Sequence, residues 1–157
     1  MTDLSDILST SDVSDSLTVA NKKGLFQQLS GVASRRTGIS AKAIVAALNE
    51  RERLGSTGFG GGVAIPHGKI VGLERLFGYF VRLSQPIDFQ SVDHMPVDLV
   101  FLLLSPPDAG ADHLKALARI SRSLRDPTIV SKLRGTDSAA GLYAILTEPA
   151  ASASHAA

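Results

Sequence analysis

Residues 97–104, VDLVFLLL, form the most strongly apolar stretch of this sequence. The uninterrupted part, Leu99 to Leu104, is far too short to span a bilayer, and a short apolar run is typical of a buried strand. The run lacks the alternation of polar and apolar residues that marks a half-exposed strand. It therefore predicts the central strand of a sheet that is covered on both faces.

Helices and further strands are predicted on both sides of this run. Asn21 is expected to cap a first helix, whose apolar face holds Leu25, Leu29, Val32 and Ala33. Ser40 is expected to cap a second helix, which has Ile44, Val45 and Leu48 on its apolar face and ends near Gly55. Strands are predicted at 63–65 and 76–83, and helices at 112–124, at 126–134 with Asp126 as cap and Pro127 in the first turn, and at 137–146. This order predicts an α/β fold, with a mixed β-sheet flanked by helices on both faces.

The length of the chain fits one compact domain. With 157 residues, it can bury about two-thirds of the surface that its unfolded form exposes. Residues 149–157, PAASASHAA, are small and weakly apolar. We therefore expect a single domain over residues 1–148 and a disordered tail over 149–157.

Charge and composition argue against several classes of partner. The formal net charge is +1 and only 5% of the residues are aromatic, so neither a basic surface nor stacking platforms for nucleic acid are expected. The sequence has no cysteine, and its first residues lack the basic and apolar regions of a signal peptide. We expect a soluble cytoplasmic protein with no membrane insertion.

A glycine-rich segment, GSTGFGGGVAIPHGK at 55–69, holds six glycines and ends in a Pro-His pair. It is not a Walker loop, because Val63 stands where the first glycine is required and Ile70 where the hydroxyl is required. It is not a dinucleotide fingerprint either, because Val63 takes the third glycine position. Pro66 restricts the chain immediately before His67, which predicts a deliberately placed imidazole.

The remaining histidines favour neither a metal site nor a hydrolase. The four histidines, at 67, 94, 113 and 155, form no HExxH pattern, and no G-x-S-x-G elbow is present, so no metal or cofactor is predicted. His113 follows the central strand at its carboxyl end, where open α/β sheets place ligands. It also shares a helix face with Leu117, Ile120 and Leu124, so a packing role stays open.

Several segments together resemble a known family. They are residues 55–69, PIDF at 86–89, PVDLVFLLLSP at 96–106 and HLKALARISRSLRD at 113–126. The sequence from about residue 3 to 147 resembles the enzyme IIA domains of the fructose and mannitol class of the phosphoenolpyruvate-dependent phosphotransferase system, in particular the nitrogen-regulatory branch. It departs from the family pattern at Phe59, where a small aliphatic residue is common, and at Gly61, where Asn or His is frequent.

The resemblance implies the enzyme IIA mannitol/fructose-type fold and a set of site residues. His67 is implied as the acceptor of a phosphoryl group from an HPr-like phosphocarrier. Arg51 matches a family arginine near the phosphoryl group, although a solvated charge on a helix is the alternative, and His113 matches the family's second histidine. A phosphate-binding loop is implied at Ser56, Thr57, Gly58, Gly60, Gly61, Gly62 and Gly68, although a turn or cap role is the alternative for the two hydroxyl residues.

Three functions are compatible with the resemblance. The favoured one is regulation, in which the phosphorylation state of His67 controls binding to target proteins such as potassium-transport regulators or sensor kinases. The second is sugar uptake, in which His67 passes the phosphoryl group to an enzyme IIB. The third is an interaction module of the same fold without a phosphoryl relay. Residues 111–134 hold six Lys or Arg against two Asp, a face that fits an acidic partner or solvent.

Overall fold

The structure, a computed structural model, describes residues 4–148. Within this range one mixed sheet has six strands: β1 (Val13–Leu17), β2 (Gly58–Gly60), β3 (Val63–Ala64), β4 (His67–Lys69), β5 (Phe77–Ile87) and β6 (Val97–Ser105). The helices are α1 (Lys22–Thr37), α2 (Ala41–Arg53), α3 (Ala111–Arg125), α4 (Pro127–Gly135) and α5 (Ala139–Leu146). The tail predicted at 149–157 lies outside the described residues.

Strand β6 is the centre of the sheet, as its apolar sequence predicts. It pairs antiparallel with β5 on one side, and on the other side it pairs parallel with β3 and then with β4. Every β6 residue except Asp98 is buried. The strand order β1-β5-β6-β3-β2 leaves both faces of β6 in contact with helices.

Alternate residues of β6 enter two separate hydrophobic cores. Val100, Leu102 and Leu104 pack with α1 and α2. Leu99, Phe101 and Leu103 pack with α3, α4 and α5. Because successive side chains of a strand point to opposite faces, this division is the direct result of a strand that is apolar at every position in the run. The predicted α/β fold with helices on both faces is confirmed.

The helix boundaries follow the capping residues found in the sequence. Asn21 accepts a hydrogen bond from Gly24 N at 2.8 Å at the start of α1, and Ser40 accepts one from Ala43 N at 3.4 Å at the start of α2. Asp126 accepts one from Thr128 N at 2.9 Å, with Pro127 as the first residue of α4. These side chains satisfy backbone donors that the first helical turn leaves unpaired.

The edge of the sheet holds elements that the sequence patterns missed. A 3₁₀ helix at Thr10–Asp12 leads into β1, which pairs parallel with β5. The β1 sequence, VSDSL, has one buried residue, Val13, and otherwise exposes or half-exposes its side chains. Edge strands bury little apolar surface, so their pattern is weak.

The predicted strand 63–65 is shorter and belongs to a broken edge. Strand β3 covers Val63–Ala64, and β4 begins at His67 after a gap of two residues. Pro66 lies in the gap and lacks an N–H, but its carbonyl accepts a hydrogen bond from Leu103 N at 3.0 Å. The break lets one edge of β6 hold both the end of the glycine segment and the Pro-His pair.

A glycine in β5 tests how tightly the second core is packed. A Cβ at Gly78 would lie 2.8 Å from Ile7 Cγ2, 3.0 Å from Ile7 O and 3.1 Å from Phe101 Cε1. Gly78→Ala should therefore lower the free energy of unfolding by about 1–3 kcal/mol, measured by urea denaturation. The control is Gly135→Ala at the end of α4, which would meet no atom within 4 Å and should be neutral or stabilise by up to about 1 kcal/mol. Equal stabilities for the two variants would contradict the packing of Gly78.

Candidate functional site

The two histidines of interest meet at the carboxyl end of β6. His67 begins β4 and is in register with Leu103, and His113 lies in the first turn of α3, which follows β6. Their ring centroids are 5.6 Å apart, with 48° between the ring planes. The two histidines are 46 residues apart in sequence. They meet because β4 runs parallel to β6 and α3 begins at the same end of the sheet.

Backbone geometry determines which nitrogen of His67 is free. Its Nδ1 lies 2.7 Å from the carbonyl oxygen of Ile65. A carbonyl only accepts hydrogen bonds, so Nδ1 carries the proton in the neutral ring and Nε2 carries the lone pair. Nε2 is therefore the nucleophilic nitrogen of this half-buried imidazole.

Arg51, from the last turn of α2, faces that free nitrogen. Its Nε donates to His67 Nε2 at 3.2 Å, and its Nη1 donates to the Gly55 carbonyl at 2.9 Å. Together the two bonds hold the guanidinium beside the imidazole ring. A cation held beside a lone pair is a suitable contact for an anionic group arriving at Nε2.

The ring of His113 is hydrogen-bonded to a buried hydroxyl. Only 7% of the residue is exposed, and its Nδ1 lies 2.6 Å from Oγ of the fully buried Ser105. The hydroxyl anchors the ring, whose centroid lies 5.6 Å from that of the half-buried His67. His113 therefore both belongs to the packed face of α3 and borders the site, so the two alternatives raised by its sequence pattern are not exclusive.

Burial keeps both imidazoles neutral. Desolvation lowers the pKa of His67 from its usual 6.5; the Ile65 hydrogen bond opposes this, the Arg51 charge adds to it, and Glu52 opposes it weakly. Desolvation also lowers the pKa of His113, with smaller effects in the same direction from His67 and Lys69. Both rings are thus in the form that has a free nitrogen at neutral pH.

The hydroxyl residues of the predicted loop are engaged in holding the chain. Thr57 is buried, and its N and Oγ1 both donate to the Glu52 carboxylate, at 2.9 and 2.7 Å. Ser56 Oγ accepts from Gly58 N at 3.1 Å. A Cβ at Gly58 would lie 2.4 Å from Ser91 Oγ, so this glycine packs against the loop that precedes β6. These contacts fit the turn and cap alternative for the two hydroxyls.

The structure does not bring the other glycines of the predicted loop to His67. Gly60, Gly61 and Gly62 have positive φ; Gly60 ends β2, and Gly61 and Gly62 form the turn to β3. Gly62 O accepts from Leu99 N, whereas His67 is in register with Leu103. Four strand residues separate these levels, a distance of about 13 Å at about 3.3 Å per residue. Gly68 lies against Ala47 of α2, on the opposite sheet face from His67.

Three residues that the sequence patterns did not single out border the site. Lys69 is exposed and stands two positions after His67 on β4, so both side chains lie on the α3 face of the sheet. Ser105 supports His113, and Glu52 binds Thr57. Period-two spacing from His67 could have found Lys69, but the other two contacts join segments that only the fold brings together.

No group of three or more His, Cys, Asp or Glu side chains within residues 4–148 is arranged to hold a metal ion. None of the helices in the range combines the length and apolar character needed to cross a membrane.

Comparison with known proteins agrees with the fold. Residues 6–148 match the family described as phosphoenolpyruvate-dependent sugar phosphotransferase system, EIIA 2. A nitrogen regulatory protein of Bradyrhizobium diazoefficiens is 50% identical over 150 residues, which cover 96% of this chain and 98% of the relative. A fructose-specific EIIA component of Haloferax volcanii is 33% identical over 149 residues, covering 94% and 97% of the two chains.

A solved structure also agrees with the fold. The crystal structure of the nitrogen regulatory protein IIA-Ntr from Neisseria meningitidis superposes with a TM-score of 0.88 at 36% identity, covering 92% of this chain and 99% of that one. The chain belongs to the EIIA 2 family of the phosphoenolpyruvate-dependent sugar phosphotransferase system. Within that family it is similar to the nitrogen regulatory proteins.

The lowered pKa values of the two histidines predict how stability depends on pH. In the unfolded chain both rings should titrate near 6.5, so below that pH the unfolded state binds protons that the folded state does not. Stability should be complete above pH 6.5 and should fall as the pH drops toward the folded-state pKa values. Urea unfolding between pH 7.5 and 5 measures this.

Two variants make the measurement specific. His67→Gln combined with His113→Gln should flatten the profile over that window, whereas His94→Asn, which removes an exposed histidine from a loop, is the control. A wild-type profile that matches the double variant would show that burial does not hold the two rings neutral.

Proposed function

We propose that this protein is a phosphoryl-accepting regulatory enzyme IIA, phosphorylated on His67 by an HPr-like phosphocarrier, whose phosphorylation state controls its binding to partner proteins. One observation carries the proposal. The hydrogen bond from His67 Nδ1 to Ile65 leaves Nε2 as a half-buried nucleophile beside the guanidinium of Arg51. This is the combination that a neutral imidazole needs to accept an anionic group.

The transfer step balances with these groups alone. The lone pair of His67 Nε2 attacks the phosphorus of a phosphohistidine on the carrier, and a new N–P bond forms. The N–P bond of the carrier breaks, and its electron pair stays on the carrier's imidazole. The proton on His67 Nδ1 remains in its bond to the Ile65 carbonyl, so no general base is required. Positioning and charge stabilisation then account for the catalysis.

Three cationic or hydrogen-bonding groups are placed to stabilise the phosphoryl oxygens. Once His67 Nε2 is bonded to phosphorus, the Nε–H of Arg51 can donate its hydrogen bond to a phosphoryl oxygen instead of to His67 Nε2. His113 can donate from its Nε2, which requires that its Nδ1 accept the hydrogen bond from Ser105. Lys69 adds a positive charge on the same face of the sheet as His67.

Exposed apolar residues flank the site and fit the docking of a protein donor. Leu54 follows α2 after Arg51, Val71 follows β4, and Leu114 adjoins His113 in α3. Their exposed fractions are 83%, 85% and 66%. Exposed large apolar side chains near a polar centre are typical of protein interaction surfaces. We infer that a phosphocarrier and the regulated partners use this same surface, so that phosphorylation changes its charge at the centre.

Sugar uptake is the second candidate, favoured by the similarity to a fructose-specific EIIA component. In that role His67 passes the phosphoryl group to an enzyme IIB. Regulation is preferred because the relatives named as nitrogen regulatory proteins reach 50% identity. Gene neighbours distinguish the two, since genes for a nitrogen sigma factor favour regulation and genes for a sugar permease favour uptake. An interaction module without a relay is less compatible with a neutral, oriented imidazole.

The first test is direct phosphorylation. Incubated with phosphoenolpyruvate, the matching enzyme I and the HPr-like carrier, the protein should acquire one phosphoryl group on His67 Nε2, stable in alkali and labile in acid, as mapped by mass spectrometry and ring ¹⁵N shifts. His67→Gln should acquire none, while His94→Asn should be labelled like the wild type. Full labelling of His67→Gln, or a label that survives acid, would contradict the proposal.

The second test separates the acceptor from the groups around it. Arg51→Ala and His113→Ala should still be phosphorylated, but about 30- to 1,000-fold more slowly, because each loses one contact to the developing charge. Arg51→Lys should recover only part of the rate, because an ammonium lacks the planar fork. Quench-flow labelling gives the rates, and thermal melting checks folding. A folded alanine variant with the wild-type rate would remove that residue from the site.

A further inference from the structure

A nearly buried carboxylate lies directly beside Arg51 in the chain. Glu52 has only 9% of its side chain exposed, and its Oε2 pairs with Lys22 Nζ at 2.8 Å. The same carboxylate accepts from Thr57 N at 2.9 Å and from Thr57 Oγ1 at 2.7 Å. A charge with so little solvent is tolerated only when it is paired and hydrogen-bonded in this way. The contacts close the chain between α2 and β2 into a short loop.

One route from this closure leads to Nε2 of His67. The closed loop contains Gly55, whose carbonyl accepts from Arg51 Nη1 at 2.9 Å. Arg51 Nε then donates to His67 Nε2 at 3.2 Å. The position of the guanidinium therefore depends on where the closed loop holds the Gly55 carbonyl.

A second route leads to the other nitrogen of the same ring. The Thr57 carbonyl accepts from Ile65 N at 3.0 Å, and the Ile65 carbonyl accepts from His67 Nδ1 at 2.7 Å. Thr57 is thus linked to Nδ1 of His67 through the backbone of Ile65, and to Nε2 of His67 through Gly55 and Arg51. Both routes start from the residue that Glu52 holds with two hydrogen bonds.

We propose that Glu52 is a positioning residue for phosphoryl transfer, which sets Arg51 and His67 relative to each other by holding Thr57. The proposal rests on the function proposed above. A loop staple that served stability alone would need no connection to the reacting nitrogen. Here the loop that Glu52 closes is connected to both nitrogens of one ring, to Nε2 by the hydrogen bonds of Arg51 with Gly55 and His67, and to Nδ1 by the hydrogen bonds of Ile65 with Thr57 and His67.

The main test replaces the carboxylate without changing its size. Glu52→Gln can no longer accept both bonds from Thr57, so the rate constant at saturating phosphorylated carrier should fall about 10- to 100-fold, while KM for the carrier stays within about twofold. Glu50→Gln, which makes the same charge change at an exposed position of α2, is the matched control and should keep the wild-type rate. A folded Glu52→Gln protein with that rate would overturn the proposal.

A cycle of variants separates positioning from stability. In an Arg51→Ala background, Glu52→Gln should slow the transfer less than it does in the wild type, because one of its two routes acts through Arg51. Thr57→Val removes the hydroxyl but keeps the backbone bond, and should slow the transfer several-fold, with Thr57→Ser restoring it. Independent, multiplicative effects would overturn the route through Arg51, and an unchanged rate of Glu52→Gln in both backgrounds would indicate a staple that acts on stability only. Should Glu52→Gln fail to fold, the comparison of Thr57→Val with Thr57→Ser decides.

The outcome for the proposed function can be distinguished from the outcome for Glu52. Absence of labelling in the wild-type protein refutes the function. The positioning of His67 is then decided by its ring ¹⁵N shifts in the free protein, which report the proton on Nδ1 and the lone pair on Nε2. Glu52→Gln should move these shifts toward a mixture of tautomers and Glu50→Gln should leave them unchanged. Equal shifts in the two variants would refute the positioning role.

Discussion

The burial of β6 on both faces is the constraint on which the rest of the structure depends. An apolar strand of this kind needs a helical layer on each face to bury its side chains. Its backbone N–H and C=O groups must then be paired by the neighbouring strands. One edge is taken by β5 and the other by β3 and β4 in succession. As a result, His67 on β4 lies beside the carboxyl end of β6, the strand that leads into α3 and His113.

The site combines two desolvated imidazoles with a fixed tautomer. Burial disfavours the imidazolium form of both rings, while the Ile65 carbonyl dictates which nitrogen of His67 keeps its lone pair. The Arg51 guanidinium then lies beside an uncharged nitrogen, an arrangement whose stabilising partner is an incoming anion. For the phosphoryl transfer proposed above, much of the preparation would therefore already be present in the free protein, with little reorganisation needed when a donor arrives.

Sequence patterns predicted the helices well because each one carries its own signals. Caps at Asn21, Ser40 and Asp126 and a period of 3.6 are local features, and they stay the same in any tertiary context. The edge strand β1 was missed because a strand with one buried residue carries almost no period-two signal. The residues of the glycine segment were identified, yet they do not form one loop around His67, because the turn at Gly62 lies four β6 positions away from the level of His67.

The sequence by itself determined the elements, the central strand and the presence of a conformationally restricted imidazole at His67, because these depend on periodicity, capping and proline chemistry within a few residues. Only the tertiary structure decided which glycines lie near that imidazole, that its Nε2 faces Arg51, and that Ser105 and Glu52 support the site. Those contacts join segments whose separation is set by strand register and helix packing. Their distances follow from the pairing of β4 with β6, which no local pattern specifies.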